Sequence, residues 1–145
     1  MEVSALCRRQ PVMIDPRADL VEAARLMREH HVGMLVVSDG SDPLGVITDR
    51  DIVLESVAAD LSPHEIRVGD AMTLEPVTLA ADSPVDVAVE SLRLAGVRRA
   101  PVVDADGALC GVVSMDDILE HLAGQLGALA GSVRHEQAIE RLVRP

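Results

Sequence analysis

Two segments carry the residues best suited to chemistry: Gly45-Val46-Ile47-Thr48-Asp49-Arg50-Asp51-Ile52 and Gly111-Val112-Val113-Ser114-Met115-Asp116-Asp117-Ile118. In each, an apolar run ends on a hydroxyl residue and an aspartate follows three positions later. A hydroxyl beside a carboxylate on a first helical turn suits a ribose, whose vicinal hydroxyls can donate to the carboxylate. The amides of such a helix start favour an anion, such as a phosphate, nearby. The same pattern also reads as a helix cap, with the acid at the positive end of the dipole. Duplication copies caps as readily as sites, so the residues alone leave both readings open.

The duplication runs through most of the chain. Leu20, Ala23, Ala24 and Met27 recur as Val85, Ala88, Val89 and Leu92, an offset of 65 residues that also relates Val32 to Val97, Val37 to Val102 and Asp39 to Asp104. A one-residue insertion separates these from the two hydroxyl–aspartate segments. Each repeat reads β-α-β-β-α. In the first, Val12 to Ile14 is a short strand, Asp15-Pro16 a turn, and Asp19 caps a helix with an i, i+3, i+4, i+7 apolar stripe. Strands follow at Met34 to Ser38 and Leu44 to Thr48 around the turn Asp39-Gly40-Ser41-Asp42-Pro43. In the second, Val77 to Leu79 is a strand, Ser83 caps a helix with Pro84 at its first position, and Ala100 to Val103 pairs with Leu109 to Ser114. Between them, Ser62-Pro63-His64-Glu65 has the spacing of a capping box for one helical turn. Each half alone is small for independent folding, which predicts a core shared between the halves. The organisation expected is repeat 1 over 1–59, a linker over 60–73, repeat 2 over 74–122 and a helical extension over 123–145.

Val97-Arg98-Arg99-Ala100-Pro101-Val102-Val103-Asp104, the two Gly-apolar-apolar-[Thr/Ser]-x-x-Asp endings and the run Met27-Arg28-Glu29-His30-His31-Val32-Gly33 together resemble a CBS-domain pair, or Bateman module, of the compact stand-alone bacterial type. The resemblance covers about Val12 to Leu122. It implies an α/β fold in which tandem β-α-β-β-α repeats pack small mixed sheets about a pseudo-twofold axis, leaving two clefts. It also implies a non-catalytic module that binds AMP, ADP, ATP, S-adenosylmethionine or, less commonly, NAD, and associates as a homodimer. Carried over by position, Thr48 with Asp51 and Ser114 with Asp117 resemble ribose-binding pairs. Met13 and Ile14 with Val12, and Val77 and Thr78 with Leu79, resemble strand edges flanking adenine. Arg98 and Arg99, followed by Ala100 and Pro101, match a position that often carries a phosphate-binding basic residue. Arginine presents a fixed fork suited to phosphate. Equally, one of the two arginines could face solvent and the other pair with a neighbouring acid.

The repeats differ where a phosphate would sit. Gly33 and Met34 stand where the second repeat has Arg98 and Arg99, and Arg50 adds a positive charge opposite Asp116. Unequal affinities at the two clefts are therefore expected. No tightly required cofactor is implied.

Composition narrows the alternatives. The 145 residues carry a net charge of −11, from 13 basic and 24 acidic side chains, and contain no Phe, Trp or Tyr. An acidic chain without aromatic stacking surfaces is a poor nucleic-acid binder, and a bound purine must lie between aliphatic or Met side chains. Cys7 and Cys110 form no metal motif or disulfide framework. His30 and His31 are adjacent on a helix and point apart, so no metal site is expected. Asp116-Asp117 lacks the nucleophile or metal that would make it catalytic, and an enzyme is not expected. Arg8-Arg9 precedes no apolar stretch of the signal-peptide kind, and no run reaches the roughly 20 apolar residues of a membrane helix. A cytoplasmic protein is expected, one that passes its signal to a separate effector protein. Ile118, Leu122, Leu126, Leu129 and Val133 form an apolar seam on a C-terminal helix weakened by Gly124, Gly127 and Gly131. That segment reads as a dimer contact or as a frayed tail kinked at Gly131. The competing functional reading is a ligand-free structural or protein-interaction dimerisation module.

Overall fold

The computed structural model describes residues 1–7, 10–40, 42–74 and 77–144; Arg8, Arg9 and Ser41 of the sequence reading lie outside them. The elements run β1 (Met13–Ile14), α1 (Leu20–His30), β2 (Met34–Ser38), β3 (Pro43–Thr48), α2 (Asp49–Ile52), α3 (Val68–Ala71), β4 (Thr73–Leu74), β5 (Leu79–Ala80), α4 (Val85–Ala95), β6 (Arg99–Val103), β7 (Leu109–Ser114) and α5 (Met115–Val143). A short 3-10 turn, Val3–Ala5, precedes β1, and α2 continues into a π-helical turn, Val53–Val57.

Each repeat folds for reasons visible in its residues. The Asp19 side chain accepts from the Glu22 amide at 2.9 Å and opens α1, which buries Leu20, Ala23 and Met27 along the expected stripe. Just before it, Arg17 donates to both oxygens of Asp15 and holds that carboxyl down at about 2. β1 runs parallel to β2, which pairs antiparallel with β3, and β4 closes the first sheet antiparallel to β3. The second sheet repeats the pattern, with β5 parallel to β6 and β6 antiparallel to β7. All five residues of β2 are buried, as a central strand covered on both faces requires. A Cβ on Gly45 would meet the Thr73 carbonyl, so glycine there lets β4 close on β3.

The expectation of one shared core is corrected. Among the described residues two apolar cores form, one per repeat. What the repeats share is their opening turns. Val3 is buried in the second core with Leu79, Leu92 and Val113, whereas Val68 and Ala71 are buried in the first with Leu20, Leu35 and Ile47. The backbone bonds mirror each other: Val3 N–H donates to Ser83 O and Ser4 N–H to Ala81 O, while Val68 N–H donates to Ala18 O and Gly69 N–H to Pro16 O. Each repeat thus completes its core with the first turn of the other.

This exchange explains two further departures. Ser83 does not cap α4, whose N-cap is Pro84 with no side-chain bond. The Ser83 carbonyl instead receives Val3, and the Val85 amide donates to Met1 O at 3.2 Å. Ser62 to Glu65 makes a backbone turn, with Glu65 N–H donating to Ser62 O at 3.0 Å. The short helix of this stretch opens later, at Val68, where an apolar side chain can reach the first core. The strand expected at Val77 to Leu79 sits at Leu79–Ala80.

Candidate functional site

Thr48 and Ser114 are the last strand residues before α2 and α5, and both form complete capping boxes. Asp51 N–H donates to Thr48 Oγ1 (3.2 Å) and Thr48 N–H to Asp51 Oδ2 (2.9 Å). Asp117 N–H donates to Ser114 Oγ (3.1 Å), Ser114 N–H to Asp117 Oδ2 (2.9 Å), and Ser114 Oγ to the same carboxylate oxygen (2.6 Å). The cap reading is therefore correct. It does not exclude a ligand, since a capped carboxylate has its position fixed and retains acceptor capacity.

The expected exposed amides at these helix starts are corrected for α2. Its Asp49 amide donates to Gly33 O, the Arg50 amide to Asp49 Oδ1 and the Asp51 amide to Thr48 Oγ1. With those donors committed, side chains must supply any anion contact there.

Each hydroxyl–aspartate pair faces the opposite repeat across a cleft. The larger cleft, about 540 Å³, places Thr48, Arg50 and Asp51 opposite Val77, Gly96, Val97, Arg98 and Arg99, with Met34, Val46 and Pro101 as apolar wall. The smaller, about 230 Å³, places Ser114, Asp116 and Asp117 opposite Gln10, Pro11, Val12, His31 and Gly33. Val12 and Val77, Gly33 and Arg98, and Met34 and Arg99 are equivalent under the repeat offset, so the clefts are two versions of one arrangement.

Of the residues expected at a site, Thr48, Arg50, Asp51, Val77, Arg98, Arg99 and Pro101 line the larger cleft, and Ser114, Asp117 and Arg99 the smaller. Ile14 and Ala100 do not; their side chains are buried in the first and second cores. The strand pleat sends alternate residues to opposite faces, which puts Arg99 and Pro101 in the cleft and Ala100 behind it. Met13 and Thr78 are exposed and line neither cleft. Gln10, Asp49 and Gly96 were missed. The repeat offset did set Gly33 against Arg98, but as a lost charge rather than as cleft wall, and His31 was weighed only as a metal ligand.

The two clefts differ electrostatically. Arg98 donates to Asp116 Oδ1 at 3.0 Å across the boundary between them. Arg99 lines both. A Cβ on Gly33 would collide with Arg99 Nη1 and crowd Asp49 Oδ2, so glycine is what lets the guanidinium lie against the first repeat. Gly33→Ala should therefore displace Arg99 while changing stability by no more than about 1 kcal/mol, because a flexible side-chain tip can yield. Urea unfolding checks the stability, and a loss well above about 1 kcal/mol would show that the Arg99 side chain cannot yield.

The family model for the CBS domain matches this chain twice, over residues 3–58 and 68–124. The chain belongs to the CBS-domain family. The two matched stretches begin at Val3 and Val68, the residues whose turns are exchanged. An uncharacterised protein of Methanopyrus kandleri is 36% identical over 121 residues, an alignment covering 83% of this chain and 62% of that protein. Among solved structures, a putative signal-transduction protein with CBS domains from Burkholderia ambifaria superposes with a TM-score of 0.79 at 25% identity, covering 84% of this chain and 93% of that one. A CBS-domain protein of Pyrobaculum aerophilum, solved in complex with AMP, superposes with a TM-score of 0.75 at 30% identity, covering 86% of this chain and 99% of that one. Among the described residues of this CBS pair, no helix is long and apolar enough to cross a membrane, and no cluster of three His, Cys, Asp or Glu side chains could hold a metal ion.

Proposed function

We propose that this CBS pair is a non-catalytic regulatory module that binds an adenosine-containing ligand, AMP foremost, and conveys occupancy through the geometry of a homodimer. The observation that carries this reading is the larger cleft. It sets the fixed Asp51 carboxylate and Thr48 hydroxyl, suited to ribose, beside the guanidinium groups of Arg50, Arg98 and Arg99, suited to phosphate. Met34, Val46, Val77 and Pro101 offer an aliphatic slot for the purine that a chain without aromatic residues needs. The AMP complex of the Pyrobaculum aerophilum protein supports the same ligand class. Titrating ligand-stripped protein calorimetrically with AMP, ADP, ATP and S-adenosylmethionine tests the reading. Saturable heat with at least one ligand supports it; no heat with any of them transfers the assignment to a ligand-free dimerisation module.

The second half of the reading rests on α5. Its 29 residues span about 43 Å, and beyond Leu122 every described side chain except Gly131 is exposed. The helix continues through Gly124, Gly127 and Gly131 rather than kinking at the last. Its glycines each cost about 1 kcal/mol of helix stability relative to alanine, which packing against a partner can offset. Leu122, Leu126, Leu129 and Val133 are spaced four, three and four apart, the 3.5-residue repeat along which two helices pack, and Leu126 and Leu129 are 67% and 64% exposed. The flanking Ala123, Gln125, Ala130 and Ser132 carry no charge, so two identical seams can meet without repulsion. A second copy of this chain is accordingly the proposed occupant. Leu126→Glu with Leu129→Glu should convert dimer to monomer and loosen dimerisation at least about 100-fold, through two unpaired buried charges per chain. Sedimentation equilibrium reads the result, and an unaltered dimer would place the interface elsewhere.

A further inference from the structure

Arg99 stands where the two clefts meet and is a wall of both. The residue equivalent to it in the first repeat is Met34, which also borders both clefts but cannot bind an anion. Among the described residues, Arg99 makes no ion pair, and its guanidinium rests over the Gly33 backbone. Its neighbour Arg98 lines the larger cleft yet is bonded to Asp116, a wall of the smaller one.

Resting on the adenosine-ligand reading above, we propose that the two clefts are negatively coupled toward phosphate-bearing ligands, with Arg99 as the shared group that couples them. A phosphate in either cleft draws the Arg99 fork toward itself, and a phosphate arriving in the other finds that charge already neutralised. Arg98 adds to the effect, and by linkage equally in both directions. An anion that recruits it into the larger cleft releases the Asp116 carboxylate, which then repels an anion in the smaller. Each ligand thus acts through a differential interaction with two side-chain arrangements, as coupling between sites requires. A ligand with ribose and adenine but no phosphate makes no demand on either arginine and leaves the clefts independent. The module would then respond in graded fashion to AMP and in a simple hyperbolic fashion to adenosine.

The test is calorimetric titration of the full chain with AMP and, separately, adenosine. Asp117→Ala and Asp51→Ala isolate one cleft each, with Asp→Asn, which keeps an acceptor for the cap, substituted where circular dichroism shows that Ala unfolds the chain. The expected result is that the second AMP binds wild-type protein about 10-fold more weakly than the isolated clefts predict. Adenosine should show no such discrepancy, and Arg99→Gln should abolish it for AMP. Stepwise AMP constants equal to those of the isolated clefts overturn the coupling and leave the ligand reading intact. So does a discrepancy that persists in Arg99→Gln, or an isolated cleft that binds no AMP. No binding of either ligand by wild-type protein overturns the ligand reading, and the coupling with it.

Discussion

Asp51→Ala is expected to weaken AMP binding in the larger cleft by about 10- to 100-fold while the chain stays folded. Hydrogen bonds to a charged group contribute about 1.5–3 kcal/mol each where the competing water is excluded, and each 1.4 kcal/mol is tenfold in affinity. The same substitution removes the acceptor for the Thr48 amide, and loss of such a cap costs about 1 kcal/mol. The two effects separate experimentally, since calorimetry reads the first and urea unfolding the second. Asp51→Asn retains an acceptor for the cap but not the charge, so it should recover most of the stability and little of the affinity. If both variants bind AMP as tightly as wild type, Asp51 is a cap and nothing more. Parallel loss of affinity and stability, both recovered by Asn, would point the same way.

The second large effect is expected from the exchanged turns. Val68→Asp places a carboxylate at a position 0% exposed in the first core, and Val3→Asp does the same at 1% exposed in the second. Among the described residues both cores are built of apolar side chains, and an unpaired buried charge costs about 4 kcal/mol or more. That is a large share of the roughly 5–15 kcal/mol that stabilises a domain of ordinary size. Because each turn belongs to one repeat and fills the core of the other, damage at either should propagate to both. Urea unfolding should therefore stay a single transition, shifted to much lower denaturant or lost, in both variants. Two separated transitions would show that the repeats fold independently and that the exchange is peripheral. A shift of less than about 1 kcal/mol at Val68 would show that the first core does not need the turn.

These expectations divide along a physical line. Most of what depends on local spacing was legible in the sequence, the Ser62–Glu65 spacing being an exception. The stripe from Leu20 to Met27 placed α1, Asp19 marked its start, and the repeat offset carried the same elements to Val85 and beyond. The hydroxyl–aspartate spacing announced both capping boxes and, through the resemblance, the fold with its two small mixed sheets. Local rules failed where a distant segment competed for the same groups. Ser83 had the residue type of a cap, but its carbonyl and the neighbouring Val85 amide are occupied by the N-terminal turn. Ile14 and Ala100 had the right position along their strands and the wrong face.

The sequence by itself determined the repeat, the elements and the residue types available to a ligand. Only the tertiary structure decided which residues meet. Crossing of the repeats sets Asp51 opposite Val77 and Arg98 rather than opposite its own strand edge, and packing within the first repeat commits the Asp49 amide to Gly33 O. It also leaves a single arginine, among the described residues, common to both clefts. The physical reason is that spacing fixes the direction of a side chain relative to its own backbone, whereas a cleft between two repeats is fixed by how their cores pack.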